Sequence, residues 1–223
     1  SGSMQGRNAT EALTLAYALS EALERTGCDI TVEMWGSHEV IGGGSKYSAS
    51  EYTQAMNAAQ TERRARLNDP LTVPKYTCFG LLTRGVIKSK RQRTTATDVR
   101  TNFGLATYSF CSGTPTYHAV FEDLKDMSRE NHAKKIYLHI TDGDADTPME
   151  AQNPREIMKE AHTYAAAVGV HMIGVGISGM KVSHLFSDSI EVSGPDAYEP
   201  VIRKLAKLVA QEAGHAAHFK RAA

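Results

Sequence analysis

From Lys135 to Asp146 the chain reads Lys-Ile-Tyr-Leu-His-Ile-Thr-Asp-Gly-Asp-Ala-Asp. Ile136 to Thr141 is apolar almost throughout, which predicts a strand buried on both faces, the kind found in parallel sheets. The run stops at Asp142, with Gly143 behind it. In an open α/β sheet, ligands sit outside the carboxyl ends of the strands, so Asp142 marks where a site should lie. The competing reading is a solvated turn, in which Asp142, Asp144 and Asp146 cap the next helix.

Around that stretch, strand and helix patterns alternate. Asn8 to Arg25 repeats small apolar residues at helical spacing, and Asp29 to Trp35 alternates as a strand does. An α/β fold normally places a strand before its first helix, so a central strand is expected upstream of Ser1. Ser50 to Leu67 reads as a polar helix and Tyr76 to Thr83 as a strand. Thr97 to Phe110 reads as a helix, as does the segment opened by Pro115 with Val120, Phe121, Leu124 and Met127 inward. Pro154 to Val168 (helix), His171 to Ile177 (buried strand), Ser189 to Val192 (short strand) and Tyr198 to Ala213 (helix) follow. The expectation is an α/β fold, a doubly wound, mostly parallel, Rossmann-like sheet. It forms one domain over 1–223, with an insertion at about 37–100 and the first central strand absent from the chain.

Composition removes several function classes. Lys+Arg and Asp+Glu both number 25, so no net field steers the chain toward nucleic acid or membrane. No apolar run approaches the ~20 residues of a membrane span. Cys28, Cys78 and Cys111 are odd in number and far apart, against a disulfide framework or zinc cluster. They are expected to pack in or near the core in a reducing cytoplasm. The basic run Arg84, Lys88, Lys90, Arg91 and Arg93 could dock an acidic partner or a phosphate; a solvated, mobile loop is the preferred reading.

Some motifs are decoys. Gly42-Gly43-Gly44-Ser45 lacks the ending of a phosphate-binding loop. Gly174-Val-Gly-Ile-Ser-Gly179 fits G-x-G-x-x-G, but Met180–Phe186 is too short for the helix that motif needs, so the glycines are expected to let a strand end turn tightly. His215 and His218 are read as solvated tail residues.

Three oxygen-bearing loops remain: Ser1-Gly2-Ser3 before the first helix, Thr114 before its helix, and Asp142 after its strand. Hydroxyls and carboxylates without His or Cys are hard ligands, suited to Mg²⁺, Mn²⁺ or Ca²⁺. At these residues the chain resembles the von Willebrand factor A (VWA) domain, whose metal-ion-dependent adhesion site (MIDAS) runs Asp-x-Ser-x-Ser, then a distant Thr, then an Asp. Ser1 and Ser3 match the serines, Thr114 the threonine and Asp142 the final aspartate. The leading Asp of the pattern would lie two residues before Ser1, on the expected upstream strand.

Within that family, Ser-Gly-Ser-Met-Gln-Gly-Arg7, Arg66-Leu-Asn-Asp69, Asn102-Phe-Gly-Leu105 and Thr141-Asp-Gly143 resemble the cobaltochelatase branch of cobalamin synthesis. The resemblance implies a non-catalytic cytoplasmic adaptor that partners an AAA+ ATPase and a large chelatase subunit. It implies Mg²⁺ (or Mn²⁺ or Ca²⁺) at Ser1, Ser3, Thr114 and Asp142, completed by a carboxylate of the partner, and no nucleotide on this chain. Gly113, Asp144, Arg91 and Arg93 are the candidate partner contacts. Two alternatives stay open: a VWA binding module of a MoxR-type AAA+ system or another adaptor, and a Mg²⁺-dependent phosphate-handling enzyme using Asp142 and Asp144.

Overall fold

A computed structural model describes residues 6–38, 81–109, 114–132, 134–143, 145 and 154–207. The elements in chain order are α1 (Arg7–Glu24), β1 (Val32–His38), β2 (Leu81–Lys88), α2 (Thr97–Ser109), α3 (Thr116–Ser128), β3 (Lys135–Thr141), α4 (Pro154–Ala167), β4 (Val170–Gly176) and β5 (Ser189–Glu191). A short 3₁₀ turn at Pro195–Ala197 leads into a helix over 198–207. The expected helix over 50–67 and the tail histidines lie outside the described residues.

β3, β4 and β5 form a parallel sheet in that order, with Ile136 opposite His171 and Thr141 opposite Gly176. Alternation along β4 sends its side chains to two cores. Val170 and Met172 join Tyr137 and the inward faces of α3 and α4. Ile173, Val175 and Ile177 join Ala12, Leu15 and Leu19 of α1, with Val201 and Leu205 beyond. Each fully buried Leu or Ile here contributes roughly 1.5–3 kcal/mol. Helices therefore cover the sheet on both faces.

The remaining strands stand apart. Among the described strands, β1 and β2 pair only with each other, as an antiparallel ribbon with Trp35 opposite Arg84. One face of this ribbon packs on α2 through Ile87, Val99 and Phe103, and on α1, where Tyr17 meets Phe103 edge-to-face at 5.2 Å. Thus the α/β class is seen directly, while the single continuous sheet is not, because no described strand bridges β1 and β3.

Two expectations are corrected. β3 is not buried on both faces: only Tyr137 and Thr141 along it are fully covered. Among the described residues it pairs with β4 alone, and most of its residues keep partial access to solvent. The basic run is not a mobile loop, since Arg84 and Lys88 lie in β2. Arg84 grips Glu33 through Nε and Nη2 at 2.7 Å each and reaches Asp126 at 2.6 Å. Lys88 is 1% exposed, its ammonium donating to the carbonyls of Ile30 at 2.9 Å and Ser89 at 3.3 Å. Lys90 pairs with Glu130. Opposite charges on β1, α3 and the loop after it thus hold Arg84 and Lys90, and backbone carbonyls hold Lys88.

Gly104 lies within α2 on an exposed turn, and a methyl group there would meet nothing within 4 Å. Gly104→Ala is therefore expected to stabilise the protein by about 0.5–1 kcal/mol, because alanine loses less backbone freedom on becoming helical. A urea midpoint that falls would contradict the open surroundings of this position.

Candidate functional site

The parallel sheet ends where three segments converge on the last turn of β3. Ile177 N–H donates to the carbonyl of Thr141 at 2.9 Å, carrying the β4 end alongside. The Thr141 hydroxyl bridges back to the main chain of Gly143, shaping the turn that follows. Between them Asp142 is 5% exposed, a buried carboxylate rather than a solvated cap. Asn8, in the first turn of α1, donates its Nδ2 to Asp142 Oδ2 at 2.9 Å. The positive end of the α1 dipole and a neutral amide donor thus both face the carboxylate, which offsets its desolvation.

The start of α3 arrives at the same strand end. Thr116 N–H donates to the carbonyl of Thr114 at 2.8 Å, and the Thr116 hydroxyl lies 3.4 Å from Nε2 of His139, near the end of β3. Nδ1 of His139 meets the Tyr137 hydroxyl at 3.0 Å, and its ring stacks on Phe186 at 5.4 Å. Burial pushes the His139 imidazole down to about 4, so the ring is neutral around pH 7 and places no positive charge beside the Thr114 loop.

Behind Asp142 lies a second buried carboxylate. Glu11, 7% exposed, accepts from Gly194 N–H at 3.2 Å and lies 3.3 Å from the Ser178 hydroxyl. Ser178 donates to Asn8 Oδ1 at 2.9 Å. It sits at φ 55°, left-handed backbone that costs a non-glycine residue on the order of 1 kcal/mol. Nothing local in the sequence points to Asn8, Glu11 or Ser178, since 134 residues separate Asn8 from Asp142 and 170 separate it from Ser178.

Of the residues singled out from sequence, Asp142 follows the end of β3, and Thr114 precedes α3, whose Thr116 reaches His139 of the same strand. Ser1, Ser3, Gly113 and Asp144 lie outside the described residues. Arg91 and Arg93 are exposed in the turns after β2, bracketed by the buried contacts of Lys88 and Thr94. Among the described residues no three His, Cys, Asp or Glu side chains gather as a metal cluster. Asp142 is a buried carboxylate held by a neutral amide, a hard oxygen donor of the kind an ion such as Mg²⁺, which takes few protein ligands, accepts.

A parallel α/β sheet with a buried aspartate at this edge is accompanied by a family match of the same kind: residues 1–75 match a von Willebrand factor A family. The matching model is described as the VWA domain of the cobalamin biosynthesis protein CobT, and it covers about a third of the chain. The likeness to a VWA domain close to the C-terminal region of CobT is shown on that stretch, which holds Ser1, Ser3 and Arg66-Leu-Asn-Asp69, while Thr114 and Asp142 lie beyond it. No curated protein and no solved structure matches the chain. Among the described residues no helix is long and apolar enough to cross a membrane.

Proposed function

We propose that the chain is a CobT-type adaptor domain of an aerobic cobaltochelatase, non-catalytic in itself, that engages an AAA+ ATPase and a large chelatase subunit in the cytoplasm. The doubly wound single sheet of a VWA domain is part of this reading. The observation that carries it is Asp142: a carboxylate buried at the end of a parallel strand, held by the first turn of the helix that follows Ser1-Gly2-Ser3. Ser1, Ser3, Thr114 and Asp142 would hold a Mg²⁺ ion. Bound there, the ion supplies an open coordination position to a carboxylate of the partner.

The chain's own residues prepare that contact. Asn8 holds the carboxylate in place, and neutral His139 withholds a charge that would repel a cation. Exposed Arg91 and Arg93 provide a second, weaker contact for an acidic partner surface.

Asp142→Asn in the intact protein tests this. It keeps the shape of the side chain and removes its charge. Retention of the AAA+ subunit on an affinity resin is expected in Mg²⁺ with the wild type, and to be lost in EDTA or in the variant. Retention that survives both would refute the bridging-ion mechanism.

A further inference from the structure

We propose that Asn8 and Ser178 together aim the Asp142 carboxylate, so that Ser178, on a separate loop and without touching Asp142, sets how tightly the site holds a divalent cation. The inference rests on the metal-site reading above. The Asn8 amide is engaged at both ends, Nδ2 to Asp142 Oδ2 and Oδ1 from Ser178 Oγ, each at 2.9 Å. Rotating that amide by half a turn would set its oxygen against a carboxylate oxygen and its NH₂ group against a hydroxyl whose proton points at it. Asp142, which only accepts, fixes which end of the amide faces it, and the donor bond from Ser178 anchors the other end, so Asn8 is held at both.

Ser178 has one hydroxyl proton and two acceptors in reach. Asn8 Oδ1 is nearer, at 2.9 Å, than Glu11 Oε2, at 3.3 Å, so the proton goes to Asn8. Glu11 is in turn held by Gly194 N–H and by Tyr198, which fixes the ground on which Ser178 stands. The left-handed backbone at Ser178 points to the same role. A glycine would suit that conformation better, and the residue present is one that brings a hydroxyl.

The test is Mn²⁺ binding to the intact protein by isothermal titration, with thermal melting alongside. Ser178→Ala and Ser178→Gly are each expected to weaken Mn²⁺ about tenfold, as loss of an outer-shell partner does. Glycine also relieves the backbone, so equal losses in the two variants identify the hydroxyl as the cause. Asn8→Ala should weaken binding at least as much. A purely structural role would move the melting temperature and leave the affinity alone. If Asp142→Asn abolishes binding while both Ser178 variants stay within twofold of wild type, the positioning role is wrong and the metal site stands. If Asp142→Asn leaves binding intact, both fall.

Discussion

Gly176→Ala is expected to lower stability by about 3 kcal/mol or more, a large effect for one added methyl group. A Cβ at Gly176 would lie 1.9 Å from the carbonyl oxygen of Met180 and 3.0 Å from its carbon. Both are backbone atoms, so no side-chain rotation relieves the clash. Nor can the loop simply lift away. Met180 N–H is tied to the Ile177 carbonyl at 3.1 Å and Gly179 N–H to that of Val192 at 3.0 Å. Val192 N–H returns to the Gly176 carbonyl at 2.7 Å. Relief would open the junction of β4 and β5 and shift Ser178 as well. Urea unfolding followed by circular dichroism should show the midpoint falling far below wild type, whereas Gly104→Ala moves it the other way. A near-wild-type midpoint for Gly176→Ala would mean that the loop does not close on β4 as described.

The second large effect is on pH. Asp123 of α3 receives the Trp35 indole N–H at 3.1 Å on each oxygen and faces Glu33, Arg84 and Tyr137. Burial first, then the charge of Glu33, push its carboxyl from 3.8 up to about 8, so it is protonated at neutral pH and can share its proton with Glu33. Over about pH 4 to 8 the folded protein keeps a proton that the unfolded chain has released, and stability falls as pH rises. His139 acts with the opposite sign. Burial lowers it from 6.5 to about 4, so over that range the unfolded chain holds the extra proton and stability rises with pH.

The two slopes oppose each other below pH 6.5, and above it Asp123 acts alone. Stability should change little below about pH 6.5 and then fall toward pH 8, by on the order of 1 kcal/mol. Tyr137, whose hydroxyl is raised by burial, extends the loss into the alkaline range. Asp123→Asn cannot ionise and should erase the drop between pH 6.5 and 8 while leaving the His139 rise below it. Urea midpoints at pH 5, 6.5 and 8 for the two proteins decide the matter. An equal drop in the variant would assign it to other groups.

What could be read from the sequence follows the range of the interactions. α1, α3, α4 and β4 were legible because their periodicity is local: Ala12, Leu15 and Leu19 recur on one helical face, and β4 is apolar throughout apart from His171. Asp142 was legible because a strand ending in Asp-Gly marks a sheet edge. β2 runs on to Lys88, five residues past the expected end at Thr83, since pairing with β1 rather than its own composition decides where it ends. At Gly174–Gly179 a tight turn is only part of the reason for the glycines. A Cβ at Gly174 would fall 2.4 Å from the buried Phe186 ring, which comes from twelve residues downstream. Arg84, Glu33, Asp123 and Asp126 could not be grouped at all, because their neighbourhood exists only once the ribbon meets α3.

That meeting gives the protein a built-in optical gauge. Trp35 is the single tryptophan of the chain, and it sits on the ribbon where β1 meets α3. The Arg84 guanidinium lies 5.2 Å from the centre of its ring. Any movement of the ribbon away from α3 would free the indole from both its carboxyl and its cation, and shift its emission to the red. One unmodified fluorophore thus follows one contact, and the docking of the ribbon can be watched in the intact protein without a label.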